Sequence, residues 1–204
     1  MEEFLLGIER NPVIDDPEIA SFWEGLPQNL EKLENVIWAE NPAKAGDFGW
    51  TMGGDGISRV WHPGVNEEEN WGWAGAPDIV AEYKGKIVLG DLKTSNGPYY
   101  SKWPGPETPK NQYGMRRAGF MKYQKCQLQL AAYALGLEHT VNIKPELCMT
   151  FVATRETVQV FAIQAGTIEK YKQKWLSTVE KYYSEILPAQ KAAELEMEAV
   201  SEDG

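Results

Sequence analysis

The sequence predicts an α/β protein in which helices flank a mixed central β-sheet. Two apolar runs, within residues 76–83 and 86–92 ("IVAEY" and "KIVLG"), stand either side of Lys84-Gly85, the pattern of a tight hairpin. A second pair of β-rich runs fills "PELCMTFVATRETVQVFAI" (145–163), with a turn at Thr154-Arg155-Glu156. Between the two pairs, from about Tyr113 to Leu137, the apolar period becomes helical. Short turns favour antiparallel neighbours, while the strand–helix–strand passage permits one parallel crossover.

The remaining elements follow in order. Residues 16–35 read as one or two helices broken near Pro27, with Asp15 or Asp16 as the cap and Pro17 in the first turn. "VIWAE" (36–40) is a short strand. "ISRVW" (57–61) is a second candidate, within a Gly-, Trp- and Asn-rich region that has no clear period. Residues 96–112, "NGPYYSKWPGPETPKNQ", carry too much Pro and Gly for anything but a loop. A long helix is expected over 167–186, and after Pro188 the Ala/Glu-rich chain is expected as a frayed helix ending in an acidic, flexible tail, 188–204. The expected organisation is one domain over 1–187, with its core at about 36–163.

Composition narrows the setting. With 204 residues, the chain can bury a sizeable core. No apolar run approaches the roughly 20 residues of a membrane span, and the acidic start "MEEFLLGIER" is unlike an export signal, so no membrane partner is expected. Cys126 and Cys148 suit reduced thiols in a cytoplasmic protein. The net charge is −10, yet residues 84–125 hold nine Lys/Arg against two acids, which leaves −17 for the rest. Because fields act within a Debye length of roughly 8–10 Å, a basic stretch in an acidic body can still bind phosphate.

In "GDLK" a period of two points Asp91 and Lys93 to one face, and the hairpin brings Asp78 close to Asp91. Two carboxylates about 4 Å apart repel by roughly 4 kcal/mol at an effective dielectric near 20. Lys93 relieves part of that, and a hard divalent cation such as Mg²⁺ would relieve more. Such a set suits phosphodiester hydrolysis: the ion polarises the phosphoryl oxygen and activates water. Lys93, its pKa depressed by partial burial, would orient or deprotonate that water or stabilise the transition-state charge. A plain strand-end Asp–Lys pair, with Asp78 as a turn residue after Pro77, fits the same spacing.

"GAPD" (75–78), "GDLKTS" (90–95) and "QLAAY" (129–133), in this order, resemble the PD-(D/E)XK nuclease superfamily. The closest likeness is to its RecB-type and phage-type exonuclease branch. The resemblance covers about residues 36–163 and implies a restriction-endonuclease-like core. It implies Asp78, Asp91 and the Leu92 backbone carbonyl as ligands of Mg²⁺ or Mn²⁺, and Lys93 as the catalytic lysine. Gln129 with Tyr133 would be the supporting helix motif. The implied activity is a metal-dependent deoxyribonuclease, foremost an exonuclease of DNA replication, recombination or repair in the cytoplasm of a bacterium or phage-infected cell. A structure-specific endonuclease and an inactive nucleic-acid-binding relative are the alternatives, and a protein-interaction module is a third. The chain departs from the pattern upstream, where relatives carry a His or Glu on a helix. His62 and His139 are misplaced for that role. Glu40 is the best candidate for the extra acidic group, with Glu18, Glu24, Glu31, Glu34 and Asp55 as alternatives.

The predicted helix has two stripes. Tyr123, Gln127, Leu130, Ala134 and Leu137 recur at core-facing spacing. Lys122, Lys125, Gln129 and Tyr133 form the neighbouring stripe, a candidate phosphate track toward Asp91. The preceding loop adds Lys102, Trp103 and Lys110, followed by Arg116 and Arg117, so that aromatics alternate with cations as in strand-binding surfaces. The expected partner is therefore DNA, single-stranded or at duplex ends, and the loop is expected to order on it.

Overall fold

The computed structural model describes residues 17–39, 60–62, 64 and 71–202. Two short helices, α1 (Pro17–Trp23) and α2 (Pro27–Leu30), precede strand β1 (Glu34–Ala39). A small antiparallel ribbon follows, β2 (Val60–His62) with β3 (Trp73–Gly75). Then come β4 (Ile79–Tyr83), β5 (Lys86–Thr94), the 32-residue helix α3 (Lys110–Val141), β6 (Leu147–Ala153) and β7 (Val158–Gln164). Helix α4 (Ala165–Lys181) runs through a π turn at Tyr182–Ile186 into α5 (Leu187–Glu202). The main sheet has the order β1-β4-β5-β6-β7. Among the described residues only β5 and β6 pair in parallel, and α3 is their crossover.

Local chemistry explains the pairing. Lys84 (φ 52°) and Gly85 (φ 73°) both adopt left-handed backbone, the type I′ turn whose twist matches a two-residue hairpin. That turn fixes Tyr83 opposite Lys86 and Ile79 opposite Gly90. Strand β6 is buried at every residue, as expected of an inner strand with a parallel neighbour and both faces covered. Leu26 and Leu30 cover the face bearing Ile79, Val88, Met149 and Phe151. Leu130, Ala134 and Leu137 of α3, with Ile168 of α4, cover the face bearing Val80, Leu89 and Cys148. The α/β class with a mixed sheet between helices is thus observed.

Several boundaries differ from the sequence expectation. Helix α3 begins at Lys110, because Pro109 serves as its N-cap, its carbonyl accepting from the Gln112 and Tyr113 amides. Lys110 is therefore helical, although the Pro-rich context suggests loop. At its other end α3 runs on to Val141 and closes on Asn142 (φ 54°), whose N–H donates to the Leu137 carbonyl. Strand β1 starts two residues early, at Glu34. The tail is helix through Glu202, since Pro188 does not stop it. Proline lacks an N–H and crowds the carbonyl four residues back. The π turn directly before it, where the Leu187 N–H donates to the Tyr182 carbonyl, widens the helix there. The Ala- and Glu-rich sequence beyond has high helix propensity and continues α5.

Candidate active site

The two aspartates meet at the open end of β4. The β4–β5 ladder ends at Ile79 opposite Gly90, and Asp78 and Asp91 lie one residue beyond it, close enough for Asp91 to feel the Asp78 charge. Side chains alternate along a strand, so both share the face of Val80 and Leu89, under α3. Asp78 Oδ2 accepts the Leu92 N–H at 2.7 Å. A strand residue directs its N–H and C=O to the same edge, so the Leu92 carbonyl also faces the side of β4, beyond that strand's last pair. Lys93 Nζ donates to Asp91 Oδ1 at 2.7 Å. Asp91 is completely buried and its Oδ2 has no hydrogen-bond partner among the described residues. Thr150, its parallel-strand partner on β6, likewise has a buried, unpartnered Oγ1.

Burial pushes both carboxyls upward. For Asp91 burial outweighs the Lys93 charge and hydrogen bond, and with Asp78 adding repulsion its pKa rises to about 6. For Asp78 burial again wins, over the Leu92 amide and the Lys93 charge. Lys93 corrects the sequence reading: burial does pull its pKa down, but Asp91, through charge and hydrogen bond, and Asp78 outweigh it, and the net shift is upward. The upward shift favours the ammonium form of Lys93 in this site, a charge for a phosphoryl oxygen or an orienting donor.

Helix α3 closes the site from above. Gln129 Nε2 donates to Tyr133 Oη at 2.8 Å, and the Tyr133 phenol, raised by burial, also feels Asp91, Asp78 and Lys93. The same ring explains Gly75. A Cβ there would stand 2.4 Å from Tyr133 Cε1, so the glycine that opens "GAPD" makes room for the tyrosine that ends "QLAAY". Cys126, a turn earlier, is in the field of Asp91 and Lys93, but burial raises its thiol to about 11, which leaves it inert. Beside Gln129 and Tyr133 lies a cavity of about 390 Å³ whose wall includes Lys125, Trp73 and Trp175.

The structure brings together Asp78, Asp91, Lys93, Leu92, Gln129 and Tyr133. Lys122 stands nearby, its Nζ donating to Ser95 Oγ at 3.1 Å and lying 5.7 Å from the centre of the Tyr99 ring. Lys102, Trp103, Lys110, Arg116 and Arg117 gather instead around the first turns of α3. From Arg116 to Cys126 is ten helical residues, about 15 Å along the axis. The connecting loop is already seated in the protein alone. Tyr99 is buried, its backbone N–H donating to Gln159 Oε1 at 2.8 Å, and Pro98 and Tyr100 press on Gly119. Ordering on DNA is therefore not required of it.

Glu40, Asp55, Asp15 and Asp16 fall outside the described residues. Glu24 and Glu31 are exposed in the α1–α2 layer, on the opposite face of the sheet from Asp91. Glu34 pairs with Glu82, four residues along β4 from Asp78. None of these three supplies the extra acidic group. Sequence reasoning missed Thr150, Cys126, Trp73 and Trp175. Of these, only Thr150 had a usable signal, the parallel register of β5 on β6.

No protein-family model matches the chain, and no curated protein matches it. The residues themselves can be tested against a divalent ion. Among the described residues there is no group of three or more His, Cys, Asp or Glu that could hold a metal ion. Mg²⁺ and similar hard ions need only one or two carboxylates, keeping waters for the other positions. Asp78, Asp91 and the Leu92 carbonyl are oxygen donors, and the orphaned Asp91 Oδ2 is a buried acceptor that lacks a partner. The donor set fits such an ion.

Proposed function

We propose that this protein is a metal-dependent deoxyribonuclease with a PD-(D/E)XK-type site, acting foremost as an exonuclease. The observation that supports it best is the fully buried Asp91 with one oxygen on Lys93 and the other unpartnered. A carboxylate kept in this state is destabilising for the fold unless something further binds to it. Asp78, Asp91 and the Leu92 carbonyl would hold Mg²⁺ or Mn²⁺, which supplies Lewis-acid activation of the phosphoryl group and of water.

The chain's own residues do the rest. Lys93, ionised and anchored on Asp91, would hold a non-bridging phosphate oxygen and stabilise the charge that grows on it. The amide of Leu92 keeps Asp78 in one rotamer, so its second oxygen is aimed without reorganisation. Gln129 and Tyr133 form a polar lid over the carboxylates and fix the approach of the strand. Lys122 and Lys125 extend positive charge along α3, and the cations near its start continue it.

The test uses 5′- and 3′-labelled single- and double-stranded DNA with Mg²⁺ or Mn²⁺. Cleavage should need the metal and fall by at least about 10²-fold in Asp91→Ala and Lys93→Ala. Cleavage that persists at the wild-type rate in both variants would defeat the reading.

A further inference from the structure

We propose that the polar pocket folded over the first turns of α3 binds one phosphate of the DNA strand, away from the site of cleavage. The inference deepens the nuclease reading and rests on it. The pocket holds about 280 Å³, room for a phosphate and part of its sugar. Lys102 and Arg116 line it, with Trp103 at the rim, 48% exposed.

Two buried polar atoms mark it as built for a ligand. Thr108 is 8% exposed, yet its Oγ1 has no partner among the described residues. Arg116 Nε is buried without a partner as well, while its guanidinium carbon stands 5.4 Å from the centre of the Tyr100 ring. Stacking on Tyr100 holds the guanidinium in place and leaves its donors in the plane of the fork, the geometry that suits phosphate. A hydroxyl and a guanidinium Nε–H that both lack a partner, on two residues lining one pocket, ask for an anion with several oxygens. The start of a long helix adds a favourable dipole at the same spot.

One group opposes the assignment: Glu107 lines the pocket too, its carboxylate packed on Gly105. Its charge lowers the pocket from two positive charges to one, so it should temper affinity and favour release. This gives the proposal a signed test, because removing that charge must tighten binding. Along α3, Arg116 stands ten residues, about 15 Å, before Cys126, the helix residue in the field of Asp91, a span of roughly two to four nucleotides.

The experiment is equilibrium binding in EDTA, where cleavage is silent, of single-stranded oligonucleotides carrying one neutral methylphosphonate in turn at each linkage, with and without a terminal phosphate. For the wild type, one substitution should weaken binding about 3–10-fold, the scale of the net contribution of a single hydrogen bond. Thr108→Val should make that position silent, and Arg116→Gln should also reduce the salt slope by about 0.7. Glu107→Gln, at an exposed position that leaves the fold intact, should tighten binding about 2–5-fold. A signal on the terminal phosphate identifies an end-binding pocket, and one on an internal linkage a strand-guiding pocket. A flat scan, or weaker binding by Glu107→Gln, overturns the proposal. Cleavage is read separately: a flat scan with intact metal-dependent cleavage removes the pocket alone. A positive scan without any cleavage removes the nuclease reading and leaves a DNA-binding pocket.

Discussion

Helix α3 carries a buried lysine–carboxylate cluster near its C-terminal end and covers another near its middle, and the two are built in opposite ways. Toward its C-terminus, Lys172 of α4 is buried at 3% exposure and donates to both Glu138 and Glu169, whose carboxylates reach solvent. In the candidate active site the carboxylate is the buried member and Lys93 the partly exposed one, 26% open. Lys172 has two carboxylate acceptors, whereas Asp91 leaves one oxygen bare. A satisfied cluster ties two helices together and needs nothing more. An unsatisfied one, with Asp91 raised to about 6, stores unfavourable energy that a ligand can release. The difference teaches that burial of a charge does not by itself mark function; burial with a missing partner does.

The largest effect that separates the two clusters is on activity. Asp91→Ala should lower metal-dependent cleavage by at least about 10³-fold, and Lys93→Ala by about 10²–10³-fold. Lys172→Met should leave the rate per folded molecule unchanged. Labelled-DNA kinetics on matched folded fractions reads all three, and a catalytic loss in the Lys172 variant would erase the distinction.

Stability should move the other way. Asp91→Asn removes a buried charge, and in EDTA near pH 8 it should raise stability by about 1–3 kcal/mol. The sign follows from linkage. The folded pKa, about 6, lies above the unfolded 3.8, so the ionised wild type is penalised fully above pH 6. As pH falls from 6 toward 3.8 the folded state binds the proton first, and the advantage of the asparagine fades. Lys172→Met should instead lose about 2 kcal/mol, less than for a fully buried pair because Glu138 and Glu169 can turn to water. Thermal melts across pH 4–8 measure both.

Subtler is the shared glycine. Gly75→Ala pushes a methyl into the Tyr133 ring and should cost about 1–3 kcal/mol in melts, with a drop in cleavage rate as Tyr133 leaves Gln129. If the rate held while stability fell, Tyr133 would be packing only.

The parts of this arrangement that the sequence reveals are those set by near neighbours. Lys84-Gly85 specifies its hairpin, and the hairpin brings Asp78 to Asp91. The stripe from Tyr123 to Leu137 shows which side of α3 meets the sheet. What depends on distant segments stays hidden. Trp73 and Trp175 share a cavity wall although they belong to a ribbon strand and a C-terminal helix without common pattern. The direction of the Lys93 shift needs a 2.7 Å contact that no spacing rule supplies. Pro109 and Pro188 mislead for one reason: a proline reads as an interruption, yet one caps α3 and the other follows a π turn inside a continuing helix.

Crystals soaked in Mn²⁺ offer the most direct test, by an anomalous difference map at the manganese edge. A peak should lie about 2–2.5 Å from carboxylate oxygens of both Asp78 and Asp91 and from the Leu92 carbonyl, and vanish in Asp91→Asn. A map without density between the two aspartates, in crystals of protein that cleaves DNA with Mn²⁺, would contradict the account.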